Sequence, residues 1–114
     1  MDRRSLKRRH LIYYLRVFQV DDGKLLGHLV DITKKGIMLV GETALSVNTD
    51  YDMKMLLPFP INGKKELLLK GRCIYSKPDV NPTFFSSGFE LTDTSDDVVA
   101  ETIDRLIKHY GFHD

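Results

Sequence analysis

Asn62-Gly63 restricts the possible folds more than any other pair in this sequence. Both residue types accept the positive φ that a two-residue hairpin loop demands. The flanking chain is strand-like. Tyr51-Asp52-Met53-Lys54-Met55-Leu56-Leu57 alternates until Pro58-Phe59-Pro60 stops it, and a longer run follows from Glu66 to Tyr75. A second hairpin is expected at Asp21-Asp22-Gly23, joining His10–Val20, rich in aromatic and β-branched residues, to Lys24–Asp31. Ile37–Val40 and Thr83–Leu91 add two more strands, the last preceded by a break at Lys77-Pro78-Asp79, while Glu42–Asn48 carries no clear pattern. Short strands at fairly even spacing, without βαβ alternation, predict a mainly β protein closed into a small antiparallel barrel.

One helix is expected, over 95–110. Thr94-Ser95-Asp96-Asp97 offers a capping hydroxyl and acids suited to the positive end of a helix dipole. Val99, Ile103, Leu106 and Tyr110 fall on one face, and Gly111 is a natural stop. That apolar stripe must pack on the mouth or flank of the barrel. The 114 residues suffice for one domain, 1–114, read as an arm over 1–9, a barrel over 10–93 and the helix.

Charge is unevenly distributed. The net charge is only +1, yet residues 1–10 carry five Arg or Lys against one acid, and residues 90–114 carry seven acids against two basic residues. An anionic partner is therefore expected at the N-terminal end. Residues 1–9 lack apolar periodicity and read as a flexible arginine-rich arm. Cys73 is the single cysteine, so no internal disulfide can form. Neither a membrane-length apolar run nor a signal-peptide pattern is present, and a cytoplasmic location is expected.

The usual catalytic readings fail. The carboxylates sit mostly in turns and on the terminal helix without a paired arrangement. His10, His28, His109 and His113 lack metal-ligand spacing, and no glycine-rich phosphate loop exists. The sequence predicts a binding protein rather than an enzyme, with no metal and no cofactor.

Two polar clusters remain. Arg4 and Arg8 are separated by three residues, with Arg3 and Arg9 beside them, so several guanidinium forks can converge on one anion. Such forks grip phosphate bidentately, read the O6 and N7 edge of guanine, and stack on a base. Taken alone, the arm reads more simply as a solubilising tail or a nonspecific nucleic-acid patch. In Asp31-Ile32-Thr33-Lys34-Lys35-Gly36, Asp31 and Thr33 are two apart, so at a strand end a carboxylate and a hydroxyl can project from one side. Gly36 is expected to take positive φ and to admit a ligand close to the backbone. The plainer reading is a turn with local side-chain hydrogen bonds.

Together, Arg4-x-x-x-Arg8 and Asp31-x-Thr33-x-x-Gly36, separated by one hairpin, resemble the PilZ domain family. Phe85-Ser86-Ser87-Gly88-Phe89-Glu90-Leu91 is similar to its last strand. The resemblance spans essentially the whole chain. It implies a six-stranded β-barrel with a C-terminal helix, serving as a bacterial receptor for the second messenger cyclic di-GMP. By the family pattern Arg4 and Arg8 would contact phosphate and guanine. Asp31, Thr33 and Gly36 would form a seat on the barrel, with Arg9 and Gly88 as additional candidates. Thr33 stands where serine is commoner, which keeps the hydroxyl and adds a methyl. Arg3 immediately before Arg4 implies a stacked pair of ligand molecules. With the chain starting near the motif and ending after the helix, the signal is expected to leave through a separate protein partner.

Two other readings are a small barrel that binds single-stranded nucleic acid through the arm, Tyr13, Tyr14 and Phe18, and a PilZ-like adaptor that binds protein only. The acidic remainder of the chain argues against nucleic acid.

Overall fold

The computed structural model describes residues 15–61, 63–92 and 97–110. Six strands, β1 (Arg16–Gln19), β2 (Leu25–Ile32), β3 (Gly36–Gly41), β4 (Thr49–Ile61), β5 (Lys64–Pro78) and β6 (Phe85–Leu91), are followed by helix α1 (Asp97–Tyr110). The strands close in the order β1-β2-β3-β6-β5-β4, with β1 also paired to β4 and every pairing antiparallel.

Side-chain alternation decides which face turns inward. Along β5, Leu67, Leu69 and Cys73 are buried while Leu68, Lys70 and Arg72 are exposed, the period of two that a pleated strand imposes. The same alternation brings Val17, Leu29, Leu39, Met53, Met55 and Phe89 into one core, with Tyr51 edge-on to Phe89 at 5.6 Å between ring centroids. Burying each aliphatic side chain contributes roughly 1.5–3 kcal/mol, so this core is the main source of stability. Cys73 is fully buried within it. Burial pushes its thiol pKa up, partly offset by the hydrogen bond from Sγ to the Tyr75 carbonyl at 3.3 Å.

The turns follow the predicted chemistry. Gly23 has φ 73° and its N–H donates to the Gln19 carbonyl, closing the β1–β2 hairpin. Ile61 pairs with Lys64 across a two-residue loop in which Gly63 has φ 77°; Asn62 lies outside the described residues. In the 42–48 connection, Asn48 takes φ 61° and donates its N–H to Cys73.

One boundary needs correction. β4 does not stop at Pro58-Phe59-Pro60 but continues to Ile61. Its ladder with β5 runs as far as Leu56 opposite Glu66 and resumes only at Ile61 opposite Lys64. The prolines therefore occupy a register break, where no ladder bond requires their missing N–H.

The helix begins at Asp97, and the cap expected at Thr94-Ser95 lies outside the described residues, as do residues 10–14 of the first predicted strand. Ile103 and Leu106 are buried in the same core as the strands, and α1 packs on β5. Thr102 is buried beside them, which the apolar pattern did not anticipate. The outer face carries i,i+4 ion pairs, Arg105–Glu101 at 3.1 Å and Lys108–Asp104 at 3.0 Å.

Two irregularities matter for function. Leu29 and Ile32 of β2 are both fully buried, an odd spacing that regular alternation forbids. A bulge resolves it: Leu29 pairs with Leu39 and Asp31 with Met38, leaving Val30 as the extra residue. The second bulge lies in β5, where Cys73 pairs with Phe89 and Tyr75 with Gly88, leaving Ile74 extra. Each bulge turns two consecutive side chains outward, Val30-Asp31 and Ile74-Tyr75.

Candidate functional site

The sequence Asp31-Ile32-Thr33-Lys34-Lys35-Gly36 folds as the β2–β3 turn because Thr33 supplies its own hydrogen-bond framework. The Thr33 N–H donates to the Gly36 carbonyl at 2.8 Å. Its hydroxyl oxygen accepts the N–H groups of Lys35 at 3.2 Å and Gly36 at 3.1 Å. Asp31 Oδ1 accepts the N–H of Ile32 at 2.9 Å. A bond from the Leu91 N–H to the Lys35 carbonyl, 2.8 Å, ties the turn to the end of β6. The local hydrogen-bonded turn thus exists, and it fixes what remains available to a ligand.

A hydroxyl has one proton and two lone pairs. Both lone pairs of Thr33 are engaged by backbone N–H groups, while its proton makes only a long 3.4 Å contact with the Gly36 carbonyl. Thr33 can therefore offer a donor to an incoming group. Asp31, with one carboxylate oxygen committed to Ile32, retains the other as an acceptor. A complementary ligand presents an acceptor and an N–H donor side by side, as a guanine edge beside a phosphate does.

Gly36 departs from its predicted backbone conformation. It is absent from the positive-φ positions, which among the glycines are Gly23 and Gly63. Its importance is the approach of β6: a Cβ on Gly36 would stand 2.7 Å from the Phe89 carbonyl oxygen. The close contact is strand to strand, and it sets the seam between turn and barrel.

Asp31, Thr33 and Gly36 border one hollow of about 210 Å³, together with Met38, Ile74, Tyr75 and Gly88. Gly88 thus borders the same hollow as the turn. A side chain there would displace the Tyr75 ring, because a Cβ would fall 2.7 Å from its Cζ. The Tyr75 ring lies over Gly88, its hydroxyl donates to Met38 Sδ at 3.0 Å, and Lys77 Nζ is 5.3 Å from the ring centroid. Ile74, 51% exposed, adds an apolar wall. Sequence reading missed Ile74, Tyr75 and Met38, although two large residues between inward-facing Cys73 and Ser76 carried the signal of a bulge. Arg3, Arg4, Arg8 and Arg9 lie outside the described residues.

The rim is basic: Lys34 and Lys35 are exposed on the turn. The Asp104 carboxyl on α1 is held below its ordinary value, chiefly by its hydrogen bond with Lys108 and also by the positive charges of Lys108 and Lys34. Among the described residues no group of His, Cys, Asp and Glu could hold a metal, and no helix is long and apolar enough to cross a membrane.

The fold corresponds to a known class of small β-barrel. The PilZ domain model matches residues 2–109, so the chain belongs to the PilZ domain family, whose members are ligand-binding and adaptor modules and include receptors for cyclic di-GMP. Among solved structures, the Bacillus subtilis inhibitor of motility (MotI/DgrA) is similar with a TM-score of 0.68 and 12% identity, over 85% of this chain and 47% of that one. The chain thus spans about half the length of that protein. The PilZ domain of Escherichia coli YcgR, a structure with c-di-GMP, is similar with a TM-score of 0.60 and 15% identity, over 86% of this chain and 81% of that one. No curated protein sequence matches the chain significantly.

Proposed function

We propose that this protein is a cytoplasmic cyclic di-GMP receptor and adaptor, without a catalytic step, in which the Arg4-x-x-x-Arg8 arm closes over the hollow beside Asp31, Thr33 and Gly36. The observation that carries this reading is the size and chemistry of the hollow. About 210 Å³ is smaller than the roughly 300–1,000 Å³ that ordinarily encloses a small-molecule ligand. It accommodates a base or a phosphate but not a whole dinucleotide, so the remaining ligand surface must be covered from elsewhere. The arm supports that role by chemistry and reach. Leu15 is held by the bond from the Leu29 N–H to its carbonyl, 2.8 Å, two residues before Asp31. Seven residues back to Arg8 extend at most about 25 Å, enough to return over the hollow.

Arginine forks on guanine edges supply roughly 1–3 kcal/mol of discrimination each, and base stacking about as much again. Ordering the arm costs on the order of 1–2 kcal/mol per fixed residue. Binding is then sensitive to each arginine. Arg3, with Arg9 in support, favours a stacked pair of ligand molecules, and Tyr75 and Ile74 offer a base a flat apolar surface. The ordered arm and ligand together create a new face for a protein partner.

A protein-only adaptor is the second reading, favoured by the engagement of both Thr33 lone pairs within the turn. Isothermal titration with cyclic di-GMP, GTP and cyclic di-AMP separates the two. The receptor reading predicts selective heat for cyclic di-GMP, a stoichiometry near two ligands per chain, and loss of binding in an Arg4→Ala/Arg8→Ala variant. No heat with an intact fold would overturn the receptor reading and leave the protein-only adaptor or a nucleic-acid binder, which salt dependence separates.

A further inference from the structure

A larger concavity, about 650 Å³, lies on the outer face of β2 and β3, apart from the motif residues. Its walls are apolar: Leu25, Val30, Val40 and Phe84, with Leu25 47% exposed. Beside it, on the connection that carries both Asp79 and Phe84, Val80 is 99% exposed. Its titratable lining residues are His28 and the two carboxylates Glu42 and Asp79.

Asp50, Glu66, Glu101 and Asp104 each have a cationic partner, whereas among the described residues neither Glu42 nor Asp79 forms an ion pair. Two uncompensated negative charges over an apolar floor repel phosphates and attract a cation attached to an apolar body. A closed barrel offers no free strand edge, so a polypeptide must dock here through its side chains.

We infer that this groove is a docking surface for a short segment of a partner protein in which a bulky apolar side chain stands next to a lysine or arginine. The inference rests on the adaptor reading and gives the partner a second contact, apart from the face formed by arm and ligand, that does not depend on nucleotide binding. The β2 bulge keeps the surfaces distinct: Val30 borders the groove and its neighbour Asp31 the nucleotide hollow.

The test pans a random dodecapeptide phage library on the full chain and measures synthetic versions of the enriched peptides by fluorescence anisotropy. Two surface variants serve as controls, Glu42→Lys/Asp79→Lys and Leu25→Glu, each checked by thermal unfolding. Expected are peptides pairing a large apolar residue with Lys or Arg, losing at least tenfold in affinity to both folded variants, and binding the Arg4→Ala/Arg8→Ala variant unchanged. No enrichment, acidic peptides, or equal binding to the variants would overturn the proposal. So would tighter binding of a peptide matching residues 1–14 of this chain, or a dimer broken by the same variants, since either assigns the groove to this chain itself. If cyclic di-GMP does not bind while the peptides do, the receptor reading fails and the docking surface stands.

Discussion

The ring of Tyr75 lies across Gly88, and a Cβ on that glycine would come within 2.7 Å of the ring's Cζ. The pair stands directly opposite in the β5–β6 ladder, immediately after the bulge at Ile74. Each residue therefore defines the other: the glycine leaves the space the ring fills, and the ring gives the hollow its flat apolar side.

Gly88→Ala is expected to displace the ring and break its bond to Met38. Overpacking of this kind costs about 1–3 kcal/mol, and part is relieved because the ring can swing outward. Thermal unfolding should show a modest loss of stability, while cyclic di-GMP affinity falls at least tenfold. Unchanged affinity would remove Tyr75 from the ligand surface.

Gly36→Ala tests a different contact. Its new methyl meets the Phe89 backbone carbonyl at 2.7 Å, and neither strand can yield by a side-chain rotation. The expected loss is about 2–3 kcal/mol, seen as a lower urea midpoint with an unchanged m-value. A serine should behave like the alanine, because the obstacle is the Cβ itself.

For Thr33, the hydroxyl and the methyl separate cleanly. Thr33→Val removes the acceptor used by the Lys35 and Gly36 N–H groups, and the exposed turn lets water replace part of it. A loss of about 1 kcal/mol is expected, with amide exchange at Lys35 and Gly36 accelerating. Thr33→Ser should restore both protection and ligand binding.

The fold was legible wherever one residue type carried one meaning. Gly23 and Gly63 take the positive φ their turns required, and the alternation in β5 sorts Leu67 and Leu69 inward from Leu68. It was misread where the meaning depended on a neighbouring strand. Pro58 and Pro60 look like a strand end until the interrupted β4–β5 ladder is known. Gly36 looks like a turn glycine, yet the backbone of β6, more than fifty positions away in the chain, imposes its size. The family resemblance pointed to Asp31, Thr33 and Gly36, but nothing in it pointed to Ile74 and Tyr75. A bulge is a property of two strands, and one strand's sequence carries only half of it.

Cys73 provides an internal probe of the core. Burial keeps its thiol protonated beyond the ordinary range, so it should resist iodoacetamide at neutral pH while the barrel is intact. Labelling should then follow global unfolding, with a rate that falls when ligand stabilises the fold. Rapid labelling of the native protein would show that the seam between β5 and β6 opens locally.

The most direct test of the receptor account is a heteronuclear NMR titration of the 15N-labelled full chain with cyclic di-GMP. The account predicts saturable shifts at the amides of Asp31, Thr33, Lys35, Gly36, Tyr75 and Gly88, with those of Glu42 and Phe84 at the separate groove little changed. Absence of shifts at saturating nucleotide, or shifts centred on Glu42 and Phe84, would contradict it.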